Sequence, residues 1–353
     1  MPYPFARPYL TTCGLVPENQ ESPIHFIEPE ITSARYHFRR NHFLYPNLLS
    51  FTYWIPIRGN VERPMWISLK ELYDLPSVTV SALLECAGNK RSLFEPKVFG
   101  EQWEKGAMSQ GNWRGVQLRI LLEMAGIQEG SVEVVVEGCD RGKRKDSAQE
   151  VSYTRSLPLE KAMHPDTLVA YAYNDRPIPF KHGFPLRLIV PGWYGMASVK
   201  WIKQIEVSAK PFTGPFQTKD YVYYPEKDSD AGAFPVTAMN VNSSILHPTD
   251  RDILSRGIHV IEGLAWSGSE EIVKVDISVD NGTSWAEAEL DNDGESGYHW
   301  IRWSYEWEAS HPGEFTILSK STDASEQVQP SSPLWNRKGY GYNAVDKVKV
   351  KVE

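Results

Sequence analysis

A chain of 353 residues exceeds what one hydrophobic core usually serves, so two domains are expected. With 41% hydrophobic and 23% charged residues it reads as globular, and a formal net charge of −8 argues against a nucleic-acid backbone as its partner. No apolar run approaches the ~20 residues that span a bilayer, so no membrane partner is expected. The opening residues MPYPFARPYL contain neither an apolar stretch nor a twin-arginine pair. No export signal is visible, and the expected compartment is the cytoplasm, or the periplasm if a leader has been trimmed. Cys13, Cys86 and Cys139 are too few and too scattered for a disulfide framework. The absence of Cys-x-x-Cys disfavours structural zinc, iron–sulfur and covalent haem. Cys13 and Cys139 are expected to be small buried hydrophobes.

In chain order, the first ~60 residues are rich in Pro, Tyr, Asn and His and read as irregular structure with short strands. Ser68 to Glu71 fits a capping box opening a short helix. Val78 to Leu84 reads as a buried strand delivering Glu85-Cys86-Ala87-Gly88-Asn89 into a loop. Leu118, Leu121, Leu122 and Ala125 recur at helical spacing, with Gly126 as C-cap. Val132 to Val136 predicts a strand ending at Glu137-Gly138-Cys139-Asp140. Pro158 begins a helical stretch that Pro165 stops. Phe184 to Val190 and Ser198 to Val207 read as strands. Residues 1–230 are therefore expected to form an α+β domain.

Beyond Ala231 the pattern is strands alone. Val273, Val275, Ile277 and Val279 alternate with polar residues before a hairpin turn at Asn281-Gly282. Ile301, Trp303, Tyr305 and Trp307 alternate likewise. Val348, Val350 and Val352 alternate with Lys349 and Lys351, a pattern suited to a protected edge strand. About seven short strands over residues 231–353 predict an all-β, immunoglobulin-like sandwich.

Four polar clusters fall where strands are expected to end. They are Phe38-Arg39-Arg40-Asn41-His42, Cys86 to Arg91, Lys181 to Arg187, and Ser198-Val199-Lys200. Each alone has a plain structural explanation: a solvated arginine pair, a satisfied loop histidine, a lysine facing water. Cys86 is harder to set aside. Small residues follow it and allow close backbone approach, and Arg91 five residues on favours a thiolate. One soft thiolate suits a redox metal whose other ligands come from elsewhere. The Arg, His and Lys clusters could hold an anionic cofactor carrying phosphate.

The string Glu85-Cys86-Ala87-Gly88-Asn89-Lys90-Arg91 resembles the molybdenum-cysteine loop of the sulfite oxidase family. The agreement continues in order through Arg40-Asn41-His42, Trp103, Glu137 to Asp140, His182 to Arg187, Ser198 to Trp201 and Asp220-Tyr221. The later half is similar to that family's dimerisation domain, down to Pro333-Leu334-Trp335-Asn336. The resemblance implies a sulfite-oxidase-like molybdopterin domain over 1–230 and a dimerisation domain over 231–353. It implies that Cys86 ligates molybdenum. Phe38, Arg39, Arg40, Asn41, His42, Asp140, His182, Arg187, Ser198, Val199 and Lys200 would hold the molybdopterin. Arg40, Arg91, Trp103, Tyr221 and Lys338 would form the catalytic pocket for a small oxyanion. The implied activity is oxidation of sulfite to sulfate by oxygen-atom transfer, with electrons passed to an external acceptor such as a cytochrome or dioxygen. A homodimer is implied by the second domain.

Departures from the family pattern bear on substrate. Lys338 stands where sulfite-oxidising members have arginine, and lysine keeps the charge but lacks the planar fork. Ala197 replaces a common arginine before Ser198, and Phe43-Leu44-Tyr45 adds bulk after His42. The competing enzyme readings are a nitrate reductase and an S- or N-oxide reductase of the same family. A non-catalytic immunoglobulin-like binding protein is the remaining alternative, though it has no need of Cys86 beside four cationic clusters.

Overall fold

The computed structural model describes residues 10–27, 30–48, 53–147, 149–291 and 297–353. Strands dominate; among the described residues the α-helices are three short ones at Leu69–Asp74, Leu118–Ala125 and Leu159–Met163, with 3-10 turns at Ile24–Phe26, Arg91–Leu93 and Phe180–His182 and a π turn at Phe216–Asp220. The chain is thus mostly β, with less helix than the α+β expectation suggested. Helical spacing is sustained only over residues 118–125, where Leu118, Leu121, Leu122 and Ala125 are all buried. Gly126 ends that helix at φ +72°, a conformation glycine adopts freely. The capping box is present: Ser68 Oγ accepts from the Glu71 backbone N–H at 3.1 Å, and Glu71 Oε2 accepts from the Ser68 N–H at 2.8 Å.

Two five-stranded sheets build the first part of the molecule. One runs Arg176–Pro177, Leu168–Tyr173, Met108–Gln117, Val78–Glu85, with Arg187–Ile189 also pairing with Leu168–Tyr173. The other runs Met65–Ser68, Trp54–Gly59, Ile202–Ser208, Glu133–Lys143, Glu150–Pro158. Only Trp54–Gly59 and Ile202–Ser208 pair in parallel within it. The strand expected over 184–190 is three residues long, and the one expected over 198–207 begins at Ile202, leaving Ser198 to Trp201 outside strands.

The later part holds two more sheets. One orders Asn242–His247, Gly257–Trp266, Ile301–Ala309, Glu289–Asp291; the other orders Ile253–Leu254, Asp346–Val352, Gly313–Asp323, Ile272–Ser278, Ala286–Glu287. Val275, Ile277, Trp303, Trp307, Val348 and Val350 share one buried core. Val273 does not join them, because a bulge between Ile272 and Lys274 turns Ile272 inward and leaves Val273 exposed. The tail strand Asp346–Val352 is paired on its outer side at Lys351 and Val352 by the two-residue strand Ile253–Leu254. Among the described residues no helix is long and apolar enough to cross a membrane.

The strand Val78–Glu85 positions the site. Its last four residues are buried on both faces. Period-two alternation sends Leu83 into the large core and Ala82, Leu84 and Cys86 into a smaller one with Phe38 and Trp103. Cys86 therefore leaves the strand end with a fixed direction. Gly88 follows because a Cβ there would lie 2.4 Å from the Arg91 guanidinium.

Candidate active site

A cleft opens beside Cys86. Phe38, Arg40, His42, Asp140, His182, Arg187, Ser198, Lys200 and Tyr221 line it, so residues of all four polar clusters meet there, together with Asp140 and Tyr221. His37, Ala87, Tyr153, Gly195 and Met196 also line it and were not singled out from sequence. For Tyr153 a signal existed: it alternates with buried positions on the strand Glu150–Pro158.

Other expected residues sit elsewhere. Arg39 turns outward to Glu18, with Nη1 3.3 Å from Oε1, and to Gln20. Asn41 stands behind Lys200, accepting from its ammonium. Val199 is core. Trp103 is fully buried behind Cys86. Arg91 serves the backbone, donating to the carbonyls of Lys338 and Gly339 at 3.1 Å and of Glu101 at 3.0 Å. Lys338 points to Asp220, with Nζ 3.7 Å from Oδ1. Arg337 pairs with Asp230 and lies 4.0 Å over the Tyr224 ring, so it does not replace Lys338. Ala197 is a buried core residue. Cys13 and Cys139 are only partly buried. Cys13 Sγ lies 3.6 Å from Glu21 Oε1, and Cys139 Sγ lies 3.8 Å from Tyr53 Oη.

The lining is strongly cationic. Arg40, Arg187 and Lys200 face one carboxylate, Asp140. Burial, then the neighbouring Arg187, pushes Lys200 well below an ordinary lysine. Burial alone takes Arg187 down to about 9. Burial raises the Asp140 carboxyl despite Lys200. These shifts share a cause: charge held in a dry space without enough counter-charge.

Three lining groups have a buried polar atom with no partner: His37 Nε2, Asp140 Oδ1 and Arg187 Nε. His37 donates from Nδ1 to the Phe38 carbonyl at 2.9 Å, and burial reinforced by Arg187 depresses its pKa to about 3. Its Nε2 is therefore a bare acceptor. Two acceptors and one guanidinium donor thus await a ligand with N–H donors and an anionic group. A phosphate-bearing pterin meets both demands.

At the other end, Arg40 Nη2 donates to His42 Nδ1 at 3.3 Å, and His42 Nε2 lies 2.7 Å from Tyr221 Oη. An arginine can only donate, so His42 Nδ1 accepts and its proton sits on Nε2. Tyr221 oxygen accepts that proton, and its own O–H is directed to the neighbouring Tyr153 oxygen. Burial and then Arg40 hold His42 well below its usual range, which keeps the ring neutral. The Tyr221 ring stacks on Tyr340 at 5.3 Å. Guanidinium carbons cap the pair, Arg155 at 5.3 Å from Tyr221 and Arg91 at 5.2 Å from Tyr340. Burial raises the Cys86 thiol, with Arg40 and Arg91 opposing.

Residues 42–216 match the family described as the oxidoreductase molybdopterin binding domain, and residues 233–353 match the Mo-co oxidoreductase dimerisation domain. Mouse mitochondrial sulfite oxidase is 33% identical over 369 residues, covering 99% of this chain and 67% of that protein. The chain belongs to the sulfite oxidase family. Chicken sulfite oxidase is 34% identical over 95% of this chain and 76% of its own length. The NADH nitrate reductase of Ulva prolifera is 30% identical over 96% of the chain but only 43% of that protein. The crystal structure of the sulfane dehydrogenase SoxCD from Paracoccus pantotrophus superposes with a TM-score of 0.82 at 27% identity, covering 100% of this chain and 89% of that one. As a member of the sulfite oxidase family the protein is an oxidoreductase that uses molybdenum and molybdopterin, and the orphaned polar atoms of the cleft suit that cofactor.

Proposed function

We propose that the protein oxidises sulfite to sulfate, with water supplying the oxygen and two electrons and two protons released to solvent and an external acceptor. The observation that carries this reading is the junction of Cys86 with Arg40, His42 and Tyr221 at one end of a cationic cleft. Cys86 supplies the protein thiolate to molybdenum. His37, Asp140, His182, Arg187, Ser198 and Lys200 hold the pterin and its phosphate, the cations by charge-assisted hydrogen bonds. When bound, the cofactor supplies two-electron oxygen-atom transfer. The chain's own residues do the rest: Arg40 holds the oxyanion's charge, and Tyr221, its oxygen held by His42 and its hydroxyl beside Tyr153, offers a phenol donor to the oxyanion. Phe38 and Met196 line the same cleft and help keep bulk water from the reacting end. The electron acceptor is a cytochrome-type protein or dioxygen.

The domain division near residue 230 follows from the pure-strand composition beyond it. The two later sheets then form an immunoglobulin-like sandwich around the core shared by Trp303 and Val350, and this half pairs two copies into a homodimer. A nitrate reductase is the second reading, supported by the Ulva relative. Purified protein given sulfite and a one-electron dye is expected to reduce the dye and form sulfate. Consumption of nitrate with a reduced dye, and none of sulfite, would overturn the assignment.

A further inference from the structure

Arg155 is the least explained charge in the molecule. It is 2% exposed, and no carboxylate lies within ion-pair distance of it among the described residues. Its Nε–H has no acceptor, and Nη1 donates to the Phe216 carbonyl. Stripping a guanidinium of water without a counter-ion is costly, so a fold keeps one only where its charge is used or its hydrogen bonds are indispensable. Its position favours use. Arg155 is two residues from Tyr153 on the strand Glu150–Pro158, so both side chains leave the same face. Tyr153 lines the cleft, and the Arg155 guanidinium lies 5.3 Å from the ring of Tyr221, which also lines it. Burial lowers the Arg155 pKa, consistent with a cation short of compensation.

The other cations near this end are already committed. Lys338 faces Asp220, which Arg144 also grips, and Arg91 is spent on backbone carbonyls. Arg40 and Arg187 line the cleft directly, whereas Arg155 stands behind Tyr221.

We propose that Arg155 is a specificity-determining positioning residue, a second buried cation that acts through Tyr221 and Tyr153 to select small sulfur oxyanions over neutral substrates. This rests on the sulfite reading and names the source of its charge selectivity. The rival role is purely structural: Arg155 would only tie Phe216 to the neighbouring strand.

Sulfate serves as the probe, because it is oxyanionic and binding can be read without turnover. Molybdenum-loaded wild type, Arg155→Met and Arg155→Lys are titrated with sulfate by calorimetry, alongside molybdenum content, melting temperature and sulfite kinetics. The expected result is a Kd for sulfate raised about tenfold in Arg155→Met, equivalent to about 1.4 kcal/mol. Arg155→Lys, which keeps the charge, should stay near wild type, and the KM for sulfite should move with Kd while kcat holds. Unchanged sulfate binding in Arg155→Met at normal molybdenum content overturns the proposal. If Arg155→Met does not fold, Arg155→Lys decides: near-native binding supports the charge role, and tenfold loss points to the Phe216 tie and overturns it. Wild type that neither binds sulfate nor oxidises sulfite refutes the sulfite reading itself, an outcome separate from these.

Discussion

Arg40 does two jobs with one fork. One Nη donates to His42 and so sets which ring nitrogen carries its proton, and the other donates to the Asn41 carbonyl. The fixed N–H at His42 Nε2 then donates to the Tyr221 oxygen, so the Tyr221 hydroxyl donates elsewhere, toward Tyr153. Lys338 has no such place. Its ammonium is 37% exposed and faces Asp220 rather than the cleft. Lys338→Ala is therefore expected to change the KM for sulfite by less than about fivefold, since a partly exposed ion pair contributes at most ~1 kcal/mol. Steady-state kinetics reads this directly, and a KM rise well above tenfold would place Lys338 on the substrate instead.

At the scale of elements, the helix Leu118–Ala125 closes one side of the large core with Leu118, Leu121, Leu122 and Ala125. Truncating Leu121 to Ala should cost roughly 2–5 kcal/mol, measured by denaturant titration, with molybdenum content per folded molecule unchanged. A cost near zero would mean that the helix packs more loosely than its burial indicates. This helix, the capping box at Ser68 and the strand that ends at Cys86 were legible in the sequence because each is set by neighbours within one or two turns. The misreadings share the opposite cause. Val273 fits the alternation yet faces out, since a bulge depends on the partner strand. Lys338 and Arg91 belong to the right neighbourhood, but whether a long side chain enters the cleft or binds backbone is decided by distant segments, Asp220 and Glu101 among them. Tyr153 and Arg155 acquire meaning only when segments far apart in sequence bring His42, Tyr221 and Phe216 beside them, and His37 when His182 and Arg187 approach it. Convergence of four motifs on Cys86 was readable; the direction of individual side chains within that convergence was not.

Across the whole molecule, the two parts are joined by charge as well as by core. Asp346, on the tail strand, accepts from Lys105 at 2.8 Å and lies 4.0 Å from fully buried Lys90. Lys90 also donates to Asn242 Oδ1 at 2.8 Å and to the Ser243 carbonyl at 2.7 Å. Burial would raise the Asp346 carboxyl, but Lys105 and Lys90 outweigh it and hold the pKa below its usual 3.8. A depressed carboxyl contributes stability above its unfolded pKa and loses it as pH falls through the folded value. Asp346→Asn should thus cost on the order of 3 kcal/mol at neutral pH, because two lysines lose their counter-ion. The gap from wild type should shrink as pH falls below 3.8, and a pH-independent gap would show that packing, not charge, is what the substitution removes. The proposed role of Cys86 is to hold molybdenum at the end of the strand Val78–Glu85. X-ray absorption at the molybdenum edge, on purified wild type and Cys86→Ser, tests it most directly. One sulfur neighbour fewer at the metal is expected in Cys86→Ser with the fold retained, and an unchanged sulfur count would contradict ligation by Cys86.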